Sequence, residues 1–142
     1  MYTELYQEII MDHYKNPRNK TDLADREDVK AHENPLCGDS IKLDIQFDSR
    51  SGIINRVFFD GNGCAIFTAS ASMMTEILSG MDFKKALKTI QLFINWLKTG
   101  GELPDIPGRD ELLAFSELSR YPVRIKCALL SWHALLEKLS TV

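Results

Sequence analysis

The sequence predicts an α+β fold, and three observations carry that expectation. Ile41, Leu43, Ile45 and Phe47 alternate with Lys42, Asp44, Gln46 and Asp48, the period of two that marks a strand with one buried face. The polar run Asp48-Ser49-Arg50-Ser51-Gly52 turns the chain into a second apolar segment, Ile53 to Asp60, so the two strands pair antiparallel. Segments of helical periodicity lie on both sides of this pair in the sequence rather than alternating with strands, which is the α+β pattern.

Each element has its own justification. Leu5, Tyr6, Ile9, Ile10 and either His13 or Tyr14 recur at helical spacing, and Asn16-Pro17 stops the pattern, giving an N-terminal helix. Residues 19–28 are polar and charged with only Leu23 and Ala24 to bury, which predicts a mobile connection. Val29 to Asn34 can form a short strand. After Gly61-Asn62-Gly63 the chain turns small and apolar from Ala65 to Leu78, a helix ended at Gly80, and Asp82 caps another that runs to Lys98. The stretch from Gly100 to Gly108 is a loop by its glycine and proline content. A short helix is expected over Glu111 to Ser119, and a last one over Cys127 to Leu139, carrying Leu129, Leu130, Ala134, Leu135 and Leu136.

Composition bounds the function. At 142 residues and 44% hydrophobic content, the chain is expected to form one domain over residues 1–142. Its 17 basic and 20 acidic residues are spread along the whole length for a net charge of −3, so no basic stripe exists to track phosphates and nucleic acid is not an expected partner. No apolar run approaches the roughly 20 residues of a membrane helix, and the start Met1-Tyr2-Thr3-Glu4 lacks the basic character of a signal peptide. A cytoplasmic protein that does not enter membranes is the expectation, and an odd cysteine count there argues for thiols or metal-bound thiolates rather than disulfides.

The three cysteines sit where turns meet regular elements: Asn34-Pro35-Leu36-Cys37-Gly38-Asp39, Gly61-Asn62-Gly63-Cys64, and Pro122-Val123-Arg124-Ile125-Lys126-Cys127. Three thiols and one carboxylate make a complete set for a tetrahedral metal. If the backbone folds back at Gly38, the Cys37 sulfur and an Asp39 oxygen can face one ion. Cys64 is expected to open a helix, where unpaired amides and the positive dipole end favour a thiolate, and the same holds for Cys127 if it begins the last helix. Arg124 and Lys126 are positioned to offset the negative charge of such a site. Buried small hydrophobes would be the plain alternative for the cysteines, but glycine-flanked turns are poor places for core residues. Neither His13, on the face of the N-terminal helix, nor His133, which its helical turn points away from the site, is expected to be a ligand, and His32 is expected to be exposed on its strand. Met73, Met74, Trp96 and Trp132 fall at core positions.

These motifs, together with Ala69-Ser70-Ala71-Ser72-Met73-Met74-Thr75-Glu76 and Tyr121-Pro122-Val123-Arg124-Ile125-Lys126-Cys127-Ala128, resemble the U-type (IscU/NifU-like) iron–sulfur cluster assembly proteins, in family order and over nearly the whole chain. Within that family the sequence resembles the SufU branch more than the IscU branch. Lys126 stands immediately before the third cysteine where the IscU branch has histidine, and the stretch from Gly100 to Ser119 adds a loop and a short helix.

The resemblance implies a three-stranded antiparallel sheet covered by about five helices, with a metal site at one exposed end. It implies zinc ligands at Cys37, Asp39, Cys64 and Cys127, with Arg124 and Lys126 in support. The implied activity is that of a zinc-dependent persulfide acceptor, or sulfurtransferase, for a SufS-type cysteine desulfurase, with downstream Fe–S assembly or sulfur-accepting proteins as further partners. A desulfurase histidine would replace Cys37 on the zinc, and the released Cys37 would accept the sulfur. Asp39, as the hard member of the set, would then be its weakly held ligand. The alternatives are a scaffold that builds and hands on a [2Fe–2S] cluster, or holds iron, on the same ligands, and a domain whose zinc is only structural. Phe67, where the family often has a small polar residue, adds apolar bulk beside the site.

Overall fold

Two ten-residue strands, β2 (Asp39–Asp48) and β3 (Ile53–Asn62), form the hairpin that the alternation predicts, in antiparallel register from Ser40 opposite Asn62 to Asp48 opposite Ile53, with a bulge between Gln46 and Phe47. The computed structural model describes residues 3–34 and 38–141. A four-residue strand, β1 (Ala31–Asn34), pairs antiparallel with the start of β2, giving the order β1-β2-β3. Ile41, Leu43, Val57 and Phe59 are buried in the core, as strands with one face against helices require.

The helices are α1 (Thr3–Lys15), α2 (Ala65–Leu78), α3 (Phe83–Thr99), the single turn α4 (Arg109–Leu112) and α5 (Pro122–Leu139). The most enclosed is α2, which packs against α1, α5 and β3 and is buried without interruption from Ala69 to Thr75. Its alanines and serines allow that close approach, while Met73 and Met74 fill the gaps. Beneath it, the Phe93 ring lies 4.2 Å from Trp132 and 6.3 Å from Phe115, centroid to centroid, joining α3, α5 and the segment between them. The Asp82 carboxylate accepts the amides of Lys84 (3.0 Å) and Lys85 (3.3 Å), the expected cap, worth about 1 kcal/mol.

Four expectations need correction. Residues 19–28 are not a loose connection but a strap along the edge of β3: Thr21 N donates to Phe59 O (2.9 Å), Phe59 N to Asn19 O (3.0 Å) and Leu23 N to Asp60 Oδ2 (2.8 Å). Leu23 and Val29 are buried, and the backbone groups of the strap satisfy a strand edge that would otherwise lie open. The short helix expected over 111–119 is instead α4 followed by a 3-10 segment, Leu113–Arg120. The last helix begins at Pro122, whose fixed φ and missing N–H suit a first helical position, so Cys127 lies in the second turn. His32 is largely covered, with its ring near Glu137 of α5 (Nδ1 to Oε2, 3.3 Å) rather than exposed.

Candidate metal centre

The antiparallel register decides the site. Because Ser40 pairs with Asn62, the first residue of β2 and the residues just after β3 meet at one end of the sheet, which brings Asp39 beside Gly63 and Cys64. Cys64 is the N-cap of α2, in extended conformation, with no side-chain hydrogen bond to the helix. From the other side α5 crosses the sheet and α2, and its second turn carries Cys127 into the same space.

A buried tie fixes that crossing. Ser70 Oγ donates to the carbonyl of Ala128 (2.6 Å) and accepts the indole N–H of Trp132 (2.9 Å), so α2 and α5 are joined one residue from Cys127. The result is that a carboxylate oxygen of Asp39, Cys64 Sγ and Cys127 Sγ all lie within 4.8 Å of one another. Donors on one tetrahedral ion with bonds of 2.0–2.3 Å stand roughly 3.3–3.8 Å apart, so this spacing fits a single ion after small side-chain adjustments. Two sulfurs and one oxygen suit a borderline-soft divalent metal such as zinc or iron rather than magnesium or calcium.

Asp39 is 1% exposed. Its Oδ1 accepts the backbone N–H of Cys64 (3.2 Å), so two candidate donors are linked directly. A methyl group on Gly63 would collide with that Oδ1 and come within 2.6 Å of Phe67 Cδ2, and one on Gly61 would meet Ser40 O at 2.6 Å and Phe67 Cζ at 2.9 Å. The Phe67 ring, fully buried one turn into α2, thus lies across both glycines, and the carboxylate shares Gly63 with it. The carboxylate is thus buried, bonded to the α2 cap and packed on Gly63.

The sequence-derived candidates divide accordingly. Asp39, Cys64 and Cys127 are brought together. Cys37, with Pro35 and Leu36, lies outside the described residues, while Gly38 has φ of +74°, the left-handed turn expected between Cys37 and Asp39. Arg124 and Lys126 are exposed on the outer side of α5, and Lys126 lines a cavity of about 450 Å³ with Glu33, Lys98 and His133. Cys127 is fully buried one turn in from the helix start, so dipole stabilisation of its thiolate, which fades beyond the first turn, does not apply as expected. The seat formed by Gly63 and Phe67 was not predicted. Its only sequence signal is the Gly-x-Gly before Cys64 with an aromatic three residues after it.

A second constellation gathers His13, Glu76 and Glu111 within the same distance. Its geometry is that of a clamp: buried His13 bonds Ser72 Oγ through Nδ1 (2.8 Å) and Glu111 Oε2 through Nε2 (2.9 Å), and Ser72 Oγ also accepts the amide of Arg18 (2.8 Å).

Comparison with known proteins decides the family. The profile of the NifU-like N terminal domain matches residues 5–128. The chain belongs to that family. Among relatives, it is 44% identical over 131 residues to the zinc-dependent sulfurtransferase SufU of Bacillus subtilis strain 168, covering 92% of this chain and 86% of that one. It is 38% identical over 133 residues to the iron–sulfur cluster assembly scaffold protein IscU of Streptococcus pyogenes serotype M1, covering 94% and 81%. The crystal structure of a candidate iron–sulfur cluster assembly scaffold protein for the SUF system, from Fervidobacterium islandicum AW-1, superposes with a TM-score of 0.77 at 32% identity over 97% of this chain and 96% of that one. The expected fold, three antiparallel strands with helices packed on them, is the fold of this NifU-like chain. Among the described residues, no helix is long and apolar enough to cross a membrane.

Proposed function

We propose that this NifU-like protein is a zinc-dependent sulfur acceptor in iron–sulfur cluster assembly, working in the cytoplasm with a SufS-type cysteine desulfurase. The observation that carries it is the convergence of Asp39, Cys64 and Cys127 at one end of the sheet, a donor set that suits zinc and lies beside the turn leading from Cys37. Cys37, Asp39, Cys64 and Cys127 would hold the ion, which when bound keeps thiolates deprotonated yet electrostatically restrained.

Cys37 is the acceptor because it precedes a glycine turn, whereas Cys64 is fixed at a helix cap and Cys127 is buried within α5. Its thiolate attacks the outer sulfur of the desulfurase persulfide. A new sulfur–sulfur bond forms on Cys37, the donor's bond breaks, and the donor cysteine leaves as a thiolate, with no net oxidation. Asp39, Cys64 and Cys127 stay in place during transfer. Arg124 and Lys126 offset the excess negative charge of a trithiolate–carboxylate site at the face where the donor docks. Similarity to the Bacillus subtilis sulfurtransferase supports transfer over cluster building, as does Lys126 in place of a histidine that could serve as an extra ligand.

The test is desulfurase turnover with zinc-loaded protein. Wild type is expected to accelerate it, and Cys37→Ala to remove the acceleration while metal stays bound through the other ligands. Full stimulation by Cys37→Ala would eliminate the acceptor role. The second reading, a [2Fe–2S] scaffold, is favoured by similarity to the Streptococcus pyogenes scaffold. It predicts that anaerobic reconstitution with iron and sulfide gives a stable cluster chromophore, and bleaching with zinc retained argues against it.

A further inference from the structure

The proposed zinc site contains one hard donor, and the structure treats it unlike the sulfurs. Asp39 is buried: one oxygen takes the Cys64 amide at 3.2 Å, its carboxylate packs on Gly63, where an added methyl carbon would lie 2.8 Å from the carboxylate carbon, and the Phe67 ring packs on the same glycine. Backbone conformation does not demand a glycine at 63, since its φ lies outside the left-handed region; the space does. Ordering a buried carboxylate costs side-chain entropy and desolvation, and here both are met on folding rather than on metal binding. A donor fixed in advance at one position favours the ion whose bond length and softness match it. Two or more thiolates alone favour softer, larger ions such as cadmium, and a pre-placed oxygen shifts the balance toward zinc.

We propose that Gly63 and Phe67 are positioning residues that seat Asp39 and thereby set the preference of the site for zinc over softer divalent ions. The seat also reverses the expectation that Asp39 is the loosely held ligand. Its carboxylate is buried, tied to the cap of α2 and packed on Gly63, so ligand exchange at this site leaves Asp39 in place.

This rests on Asp39 being a metal ligand, and the experiment separates the two claims. Zinc and cadmium affinities are measured by competition with a chromogenic chelator for the apo forms of wild type, Asp39→Ala, Gly63→Ala and Phe67→Leu, with urea unfolding of each to confirm the fold. Disturbing such a support is expected to weaken zinc about 10–100-fold in Gly63→Ala. Cadmium weakens less, so the zinc-to-cadmium ratio falls, and Asp39→Ala lowers the ratio at least as far. If Gly63→Ala does not fold, Phe67→Leu, which removes the ring packed on Gly63, reads the same ratio with a smaller fall. Equal loss of both metals in the folded seat variants overturns the proposal, because a merely loosened fold weakens every ion alike. A lowered ratio in Asp39→Ala with unchanged ratios in both seat variants overturns the seat while leaving the ligand. Unchanged zinc affinity in Asp39→Ala overturns the ligand assignment and the seat with it.

Discussion

Among the described residues, two places collect metal-type side chains from distant parts of the chain within 4.8 Å, and they differ in the donors they bring together. At His13 both ring nitrogens have oxygen partners, on α2 and α4, and the flanking carboxylates are half exposed. At the other end of α2, two sulfurs, weak hydrogen-bonding atoms, surround a carboxylate sealed against Gly63 and Phe67. Proximity alone therefore does not define a metal site. One cluster spends its polarity on fastening α1 to its neighbours; the other brings two soft sulfurs to one carboxylate, a donor set that suits an ion.

The strongest way to break this contrast is to remove one donor. Cys127→Ala is expected to weaken zinc about 10³-fold, or about 4 kcal/mol, a share of the roughly 10–16 kcal/mol that four-ligand sites deliver. Apo stability should change little, because alanine fills most of the space of a buried thiol. Chelator competition and urea unfolding of the apo protein read the two quantities separately. A variant with wild-type zinc affinity would remove Cys127 from the site.

His13→Ala should show the reverse. The substitution leaves a cavity and strips Ser72 and Glu111 of their shared partner, so about 2–4 kcal/mol of unfolding free energy should be lost. Zinc stoichiometry and affinity should hold. Loss of zinc with stability retained would mean that the clamp, too, is a metal site.

How much of this was legible in sequence follows the range of each interaction. The alternation of β2, the cap at Asp82 and the glycine turn before Asp39 are local, and the structure has them where the residues imply. The cysteine contexts predict a shared site by reading each thiol at the end of an element; Cys64 is such a cap, whereas Cys127 reaches the site from the second turn of α5. The strap over 19–28 was illegible because its backbone hydrogen bonds to β3, not an apolar pattern, hold it. The start of α5 carries a signal in Pro122, but the charged and β-branched run up to Lys126 lacks helical periodicity. The clamp and the seat needed the tertiary structure: His13 meets partners 59 and 98 residues away, and Asp39 meets Gly63 only through the β2–β3 register.

One turn past Cys127 in α5 lies Ser131, buried, with a hydroxyl that has no hydrogen-bond partner. It serves neither the clamp nor the donors, and a buried hydroxyl without a partner costs about 1–3 kcal/mol. Ser131→Ala is expected to stabilise the apo protein by about 1 kcal/mol, seen as a shift of the urea midpoint at unchanged slope, with zinc affinity unaltered. Destabilisation would show that the hydroxyl has a role in the fold.

The smallest effect concerns a third histidine, on the rim of the cavity beside Lys98 and Lys126, in neither cluster. Partial burial, and secondarily the positive charge of Lys98, hold the His133 imidazole below its ordinary value of 6.5. The folded state therefore resists a proton that the unfolded chain accepts. Stability contributed by neutral His133 is whole above the unfolded value and declines as pH falls through 6.5, levelling once the folded imidazole also takes up its proton. His133→Gln should remove that part of the acid-side decline, so apo wild type and variant melt with a constant difference at pH 8 and converge or cross toward pH 5. Apo protein is required, because thiol protonation weakens metal binding over the same range and would bury so slight a signal. Parallel melting curves from pH 8 to pH 5 would show that His133 titrates alike in both states and that the rim, unlike the two clusters, leaves its ionisable group to the solvent.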